Sequence, residues 1–376
     1  MKIVIAIDSF KGSLSSAQAG NAVKEAILRV NADTEVLVKP LADGGEGTVE
    51  ALASGPDAET VRLQVCGPLR TPVTAQYCIL KDTNTAVIEM AAAAGLPLIS
   101  AEERNPLETT TYGVGELIRD AIGKGCRQFI VGIGGSATND GGIGMLRALG
   151  YEFLDQTGDP IPLGAKGLKI LHKISMAHVL PALDECRFHI ACDVNNPLCG
   201  NNGCSAVYGP QKGATPEMIR DMDRWLADYA LLARAVSPSA DPNCPGAGAA
   251  GGLGFAFLAF TNATLRSGIQ IVLEETGLED AIRDAQIVVT GEGRLDAQTV
   301  MGKAPSGVAK LAKKYGKKVI AFSGCVTEDA ELCNDHGIDA FFPILRTVTT
   351  LEEALDTERA YQNLAATAYQ VFRLLL

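Results

Sequence analysis

Short apolar runs alternate with segments of helical period along this chain. Lys2 to Ile7 is nearly all Ile, Val and Ala, the pattern of a buried parallel strand. Ser15 with Gln18 then makes a capping-box signal. Ala19, Ala22, Val23, Ala26, Ile27 and Val30 follow at helical spacing. Val36-Leu37-Val38 predicts a second strand ending at Pro40, so the chain opens as a βαβ unit. From Val61 the texture changes to alternating strands, Val61 to Val65 and Val73 to Leu80, followed by Val87 to Met90. Phe129-Ile130-Val131 and Phe188 to Cys192 predict further strands, and Arg220 to Val236 a helix with Trp225, Leu226, Tyr229 and Leu232 on its core face. The α/β rhythm returns with strands at Gln286 to Thr290, Val319 to Phe322 and Ala340 to Leu345. A helix from Leu351 to Leu376 closes the chain.

Two strands at the start and three at the end fit a five-stranded, flavodoxin-like parallel sheet. The predicted fold class is α/β with two domains. A discontinuous flavodoxin-like domain spans 1–60 and 279–376, and a second α/β domain, 61–278, is inserted into it.

Composition narrows the function. At 47% hydrophobic and 20% charged, the chain is globular. A net charge of −11 argues against nucleic acid and anionic membranes as partners, since both require a basic face. The ten cysteines contain no C-x-x-C pair, and most sit in strand-like contexts. They read as reduced thiols in a cytoplasmic protein. No signal-peptide pattern and no apolar run of membrane-spanning length occurs.

The chemistry concentrates in loops after apolar strands, where α/β sheets bind ligands. Residues 132–144, Gly-Ile-Gly-Gly-Ser-Ala-Thr-Asn-Asp-Gly-Gly-Ile-Gly, follow one strand and precede a helix, Met145 to Leu149. Glycines let backbone N–H groups approach a ligand, and a helix N-terminus favours an anion, most often phosphate. Gly134, Gly135, Ser136, Thr138, Asn139 and Asp140 are therefore the candidate phosphate-binding residues. The loop Asp8-Ser9-Phe10-Lys11 offers a cation for a phosphate or carboxylate. Asp43 and Glu46 lie in a Gly-rich turn and are candidate Mg²⁺ ligands. Asp193, followed by Asn195 and Asn196, can accept a proton from a substrate hydroxyl. Gly291-Glu292-Gly293-Arg294-Leu295-Asp296 reads as a further polar loop with two carboxylates and a fixed cation. Walker A, Gly-x-Gly-x-x-Gly and Gly-x-Ser-x-Gly patterns are missing where a P-loop, dinucleotide or hydrolase site would need them, and the four histidines do not cluster.

Four stretches together resemble the type I glycerate kinase family: Ile7 to Ser13, Leu41 to Thr48, Gly134 to Gly142 and Thr290 to Asp296. The resemblance runs the length of the chain and keeps the family's motif order. It implies phosphoryl transfer from ATP to D-glycerate with Mg²⁺, in a cleft between two α/β domains. The product is expected to be 2-phosphoglycerate, in glyoxylate or sugar-acid breakdown, with the 3-hydroxyl as the alternative acceptor. On this reading Ser9, Lys11, Arg294 and Asn195 bind substrate, and Asp193, Asp296 and Lys11 are catalytic. Asp43, Glu46 and Asp193 hold the metal, and a homo-oligomer is left open. Two competing readings are a flavin or nicotinamide oxidoreductase, which would show cofactor absorbance, and a non-catalytic sugar-acid sensor, which would consume no ATP.

Overall fold

The computed structural model describes residues 1–42, 47–53 and 58–376. Its strands, in chain order, are β1 (Lys2–Ile5), β2 (Glu35–Val38), β3 (Ala58–Cys66), β4 (Pro72–Leu80), β5 (Thr85–Glu89), β6 (Gln128–Gly132), β7 (Glu152–Leu154), β8 (Lys173–Ser175), β9 (Arg187–Ala191), β10 (Ala263–Arg266), β11 (Ile287–Leu295), β12 (Lys318–Val326) and β13 (Ala340–Pro343). The chain divides into two units. One holds residues 1–42, 50–53 and 267–376; the other holds 47–49 and 58–266. The expected joins near 60 and 278 fall elsewhere. The helices Gly268–Glu275 and Leu278–Arg283 count with the first unit.

The first unit carries a five-stranded sheet in the order β13-β12-β11-β1-β2, with every pairing parallel. This is the flavodoxin-like order. Ile3, Val4 and Ile5 are buried on both faces of the sheet. The Ser16–Val30 helix begins as its sequence requires: Gln18 N–H donates to Ser15 Oγ, and Ser15 N–H donates to Gln18 Oε1. Its apolar stripe packs with the Thr357–Leu375 helix over Ile3, Ile5 and Phe322. The closing helical stretch is two helices, Leu351–Leu355 and Thr357–Leu375. Asp356 ends the first in extended conformation and caps the second by accepting from Arg359 N–H.

One expectation is corrected here. Gly291 to Arg294 is not a loop; β11 runs on to Leu295 and pairs with β12 through Arg294↔Cys325 and Leu295↔Val326. The glycines permit this. A Cβ on Gly291 would stand 2.1 Å from the Phe322 carbonyl oxygen, and one on Gly324 would stand 2.4 Å from that of Gly293.

The second unit holds a six-stranded mixed sheet, β10-β9-β6-β5-β4-β3. β5, β6, β9 and β10 run parallel, and β3 and β4 extend the sheet antiparallel. Its core stacks Phe129 on Phe188 at 4.7 Å and buries the single Trp, Trp225, beside Leu226 and Tyr229. The Ala249–Phe260 helix is apolar all round and is buried except for the partly exposed Ala250 and Leu258. Its start is distorted: Ala250, Gly251 and Gly252 all have positive φ. That turn packs against the 132–144 loop, and Gly141 N–H donates to Gly251 O at 2.9 Å. A Cβ on Gly251 would lie 2.1 Å from the Thr138 carbonyl oxygen.

Gly251→Ala therefore combines left-handed backbone strain with a clash against main chain. It should cost on the order of 2 kcal/mol, read as a lower urea midpoint by Trp225 fluorescence. An unchanged midpoint would show that the loop packing tolerates displacement.

Candidate active site

In the second unit four parallel strands end in register. Glu89 of β5 pairs with Gly132 of β6, Gly132 with Ala191 of β9, and Ala191 with Arg266 of β10. The 132–144 loop and the Asp193–Leu198 segment therefore leave the same carboxyl edge, where α/β sheets bind ligands.

Asp140 organises the loop. It is fully buried and accepts from Thr111 N–H (2.9 Å), Gly142 N–H (3.1 Å) and Gly144 N–H (3.3 Å). The hydroxyls of Thr111 and Thr110 add bonds at 3.0 and 3.4 Å. Burial pushes the Asp140 carboxyl above its ordinary value, and these donors oppose the shift. The Ile143–Ala148 helix thus has its first N–H groups satisfied internally, Met145 N–H also donating to Thr111 Oγ1. The anion expected at this helix N-terminus is the protein's own carboxylate.

Asn139 and Thr138 are likewise fully buried. Asn139 Nδ2 donates to Ser205 Oγ at 2.8 Å, and the Thr138 carbonyl accepts from Lys212. The Asp140 side chain and the Asn139 amide group thus bond within the fold, while Thr138 Oγ1 and Asn139 Oδ1 are buried without a hydrogen-bond partner among the described residues. What faces outward is Gly134 and Gly135, both exposed, with Ser136 beside them at 7% exposure. Gly135 has φ +71, and the N–H groups of Gly134, Gly135 and Ser136 donate to no turn, loop or cap carbonyl among the described residues. Ala94 and Leu96 pin the turn from behind, through Ala137 N–H to Ala94 O and Leu96 N–H to Gly135 O.

Lys212, which sequence reasoning missed, lies under this turn at 1% exposure. Its Nζ donates to Ser136 Oγ at 2.8 Å and to Thr138 O at 2.6 Å. Burial pushes its ammonium down to about 8. Its place in Gly-Pro-Gln-Lys-Gly gave no periodic signal, because Pro210–Lys212 is a single 3-10 turn, too short to show a period.

Asp193 and Asn195 are exposed past the end of β9. Asn196 is engaged, donating to Asn202 O and accepting from Tyr208 OH. Asn195 is thereby the residue of the pair that faces solvent.

In the first unit, Asp8 N–H donates to Gly291 O at 2.9 Å, which sets the Asp8–Lys11 loop beside β11. A Cβ on Gly293 would stand 3.4 Å from Lys11 N, so the loop lies close on the strand. Ser16 ties this region together: it donates to Ile7 O at 2.6 Å and accepts from Leu41 N–H at 2.7 Å. Ser9 is half-buried and Lys11 exposed. Arg294 Nε lies 3.3 Å from Asp296, and Lys303 lies 3.6 Å from Asp296 and 3.7 Å from Glu292. Asp296 also accepts from Gln298 N–H, and Thr299 Oγ1 donates to Glu292 at 2.7 Å. Lys303, at the head of the Ala304–Lys314 helix, is a second cation that sequence reasoning missed. Arg294 and Asp296 line a surface depression with Thr327, Glu328 and Asp329. Asp43 and Glu46 lie outside the described residues. Among the described residues no cluster of three or more His, Cys, Asp or Glu side chains is arranged for a metal, and no helix is long and apolar enough to cross a membrane.

A five-stranded flavodoxin-like unit and a second α/β unit with a glycine turn at its carboxyl edge place the protein in the two-unit α/β class, with candidate ligand loops at strand ends. Comparison with known proteins narrows this. Residues 3–376 match the family model described as the glycerate kinase family. The chain is 47% identical over 375 residues to the glycerate kinase of Haemophilus influenzae, covering 100% of this chain and 99% of that one. It is 46% identical to the glycerate 2-kinase of Escherichia coli, with 98% of both chains covered. The crystal structure of a protein assigned as glycerate kinase 2 from Salmonella typhimurium LT2 matches with a TM-score of 0.91 at 46% identity, over 100% of this chain and 98% of that one. The chain belongs to the glycerate kinase family.

Asp140→Asn places an NH₂ group against N–H donors. It should cost about 3 kcal/mol in urea unfolding followed by Trp225 fluorescence. A loss below about 1 kcal/mol would mean that the carboxylate does not hold the loop.

Proposed function

We propose that the protein transfers the γ-phosphoryl group of ATP to the 2-hydroxyl of D-glycerate. The observation that carries this reading is the match to glycerate kinases along the whole chain. The exposed Gly134 and Gly135 fit the reading, because main-chain N–H groups that donate to no turn, loop or cap carbonyl among the described residues suit phosphate oxygens.

Phosphoryl transfer is mainly positioning and charge neutralisation. The proposal gives the donor phosphates to the Gly134, Gly135 and Ser136 backbone and to Ser136 Oγ. Glycerate falls to Ser9, Lys11, Arg294 and Asn195. Lys11 supplies an exposed cation on a loop held by Asp8 and Ser16. Arg294 shares its charge with Asp296, and its side chain is 62% exposed. Asp193 is the proposed base, because an exposed carboxylate at a strand end can reach a substrate hydroxyl. Asp296 is the weaker candidate, since its oxygens already meet Gln298 N–H, Arg294 and Lys303. Its proposed part is to hold those two cations.

Mg²⁺ is commonly held by one or two carboxylates plus phosphates, so a kinase needs no three-residue cage. Asp193 fits that role among the described residues, and Asp43 and Glu46 remain proposed ligands outside them. Bound there, the ion would neutralise phosphate charge.

The test supplies ATP and D-glycerate, follows ADP release with and without Mg²⁺, and passes the product formed to enolase with Mg²⁺ present. Enolase accepts 2-phosphoglycerate, so phosphoenolpyruvate should form without added mutase. ADP release that yields phosphoenolpyruvate only with mutase present would assign the 3-hydroxyl. No ADP release at all would overturn the kinase reading. Asp193→Asn should lower kcat at least 100-fold with unchanged Trp225 fluorescence, whereas Asp296→Asn should act more weakly. Wild-type turnover in Asp193→Asn would remove it as the base.

A further inference from the structure

Lys212 is a buried cation with neutral partners. Its two acceptors are a hydroxyl and a main-chain carbonyl, and it forms no ion pair among the described residues. The charged and titratable groups around it come from two elements. Asp140 in the loop is already bonded to Thr111, Gly142 and Gly144, and Cys204 on the Cys204–Tyr208 helix is buried. Burial pushes the Cys204 thiol up to about 11, so it stays neutral through the working range. The Arg104 guanidinium meets the Gln211 carbonyl next door, at 3.3 Å. Burying an unpaired ammonium costs several kcal/mol, and a neutral donor would satisfy both acceptors at lower cost.

The turn is closely packed just after Lys212. Gly213 has φ +87, and a Cβ there would stand 2.3 Å from the Arg104 carbonyl oxygen. The ammonium is therefore held beneath Ser136 by the fold.

Its hydrogen bond sets the direction of the Ser136 hydroxyl. Lys212 Nζ donates to Ser136 Oγ, so that oxygen is the acceptor and its own proton is left for another partner. The neighbouring residues on the open side are Gly134 and Gly135. We propose that Lys212 is a positioning residue for an oxyanion site at Gly134–Ser136: it turns the Ser136 O–H outward as a donor and supplies the positive charge beneath the turn. The proposal rests on the reading that this turn binds a reactant. The oxyanion is a donor phosphate or the glycerate carboxylate, and the two sources separate in the kinetics.

The experiment measures kcat and both KM values for wild type, Lys212→Met, Lys212→Gln and Ser136→Ala, with Trp225 fluorescence as the folding control. Lys212→Met should raise the KM for ATP about tenfold or more and change kcat less than about threefold. In the wild type, the KM for ATP should rise as the pH passes about 8, where the buried ammonium loses its proton. In Lys212→Met it should stay high and flat. A purely structural role would move stability without this pH-dependent limb. If the KM for glycerate rises instead, the oxyanion site stands with the carboxylate as its ligand, and the phosphate assignment falls. If Ser136→Ala leaves both KM values unchanged, the Ser136 hydroxyl donates to no reactant and the Lys212 proposal is overturned, while binding by the main chain of the turn is not. If Ser136→Ala raises a KM while folded Lys212→Met and Lys212→Gln match wild type, the Lys212 inference alone is overturned. If neither Lys212 variant folds, the wild-type profile decides, and a KM for ATP unchanged from about pH 7 to about pH 9.5 overturns the proposal.

Discussion

A buried carboxylate needs donors, and the site-bearing loop of the second unit is arranged around that need. Asp140 collects main-chain N–H groups from Thr111, Gly142 and Gly144 and hydroxyls from two threonines. Without them, a charge in this interior would cost several kcal/mol. Meeting the need draws the loop inward and fastens it to the start of the Tyr112–Gly123 helix. The left-handed turn at Ala250–Gly252 closes on the same loop from another side. Gly134 and Gly135 are left at the surface, with Ser136 beneath them, backed by Ala94, Leu96 and Lys212.

The same logic separates the polar groups held within the fold from those at its surface. Asp140, Asn196, Ser16 and the Asn139 amide NH₂ are engaged within the fold. Asp193, Asn195, Lys11 and Arg294 sit at exposed strand ends or on loops held by those groups. In the first unit the rigid part is β11, whose glycines let it lie against β12 as far as Leu295. Arg294 and Asp296 are thereby presented from a paired strand and its end, a firmer base than a free loop.

Much of the fold was legible because it rests on apolar period. The runs at Lys2 to Ile7, Val36 to Val38, Gln286 to Thr290, Val319 to Phe322 and Ala340 to Leu345 gave the five parallel strands, and Ser15 with Gln18 gave the first helix start. The loops were legible as positions and less so as roles. Glycine and Asp content signals a tight polar turn, but it does not say whether an Asp faces out or caps its own chain. Asp140 does the latter. Gly291 to Arg294 looked like a turn because glycine is rare in strand interiors; close approach to Phe322 explains its use there. Lys212 and Lys303 escaped because a lone lysine near glycines usually reads as a solvated surface charge, and only tertiary contacts distinguish them.

The central claim is that the reactant-facing part of the 132–144 segment is its first turn, not the helix start that follows. Amide NMR of the deuterated protein, titrated with a non-hydrolysable ATP analogue, addresses this directly. The account predicts that the Gly134, Gly135 and Ser136 amide resonances shift while those of Gly142 and Gly144 stay in place, held by Asp140. Shifts at Gly142 and Gly144 with silence at Gly134 to Ser136 would contradict it.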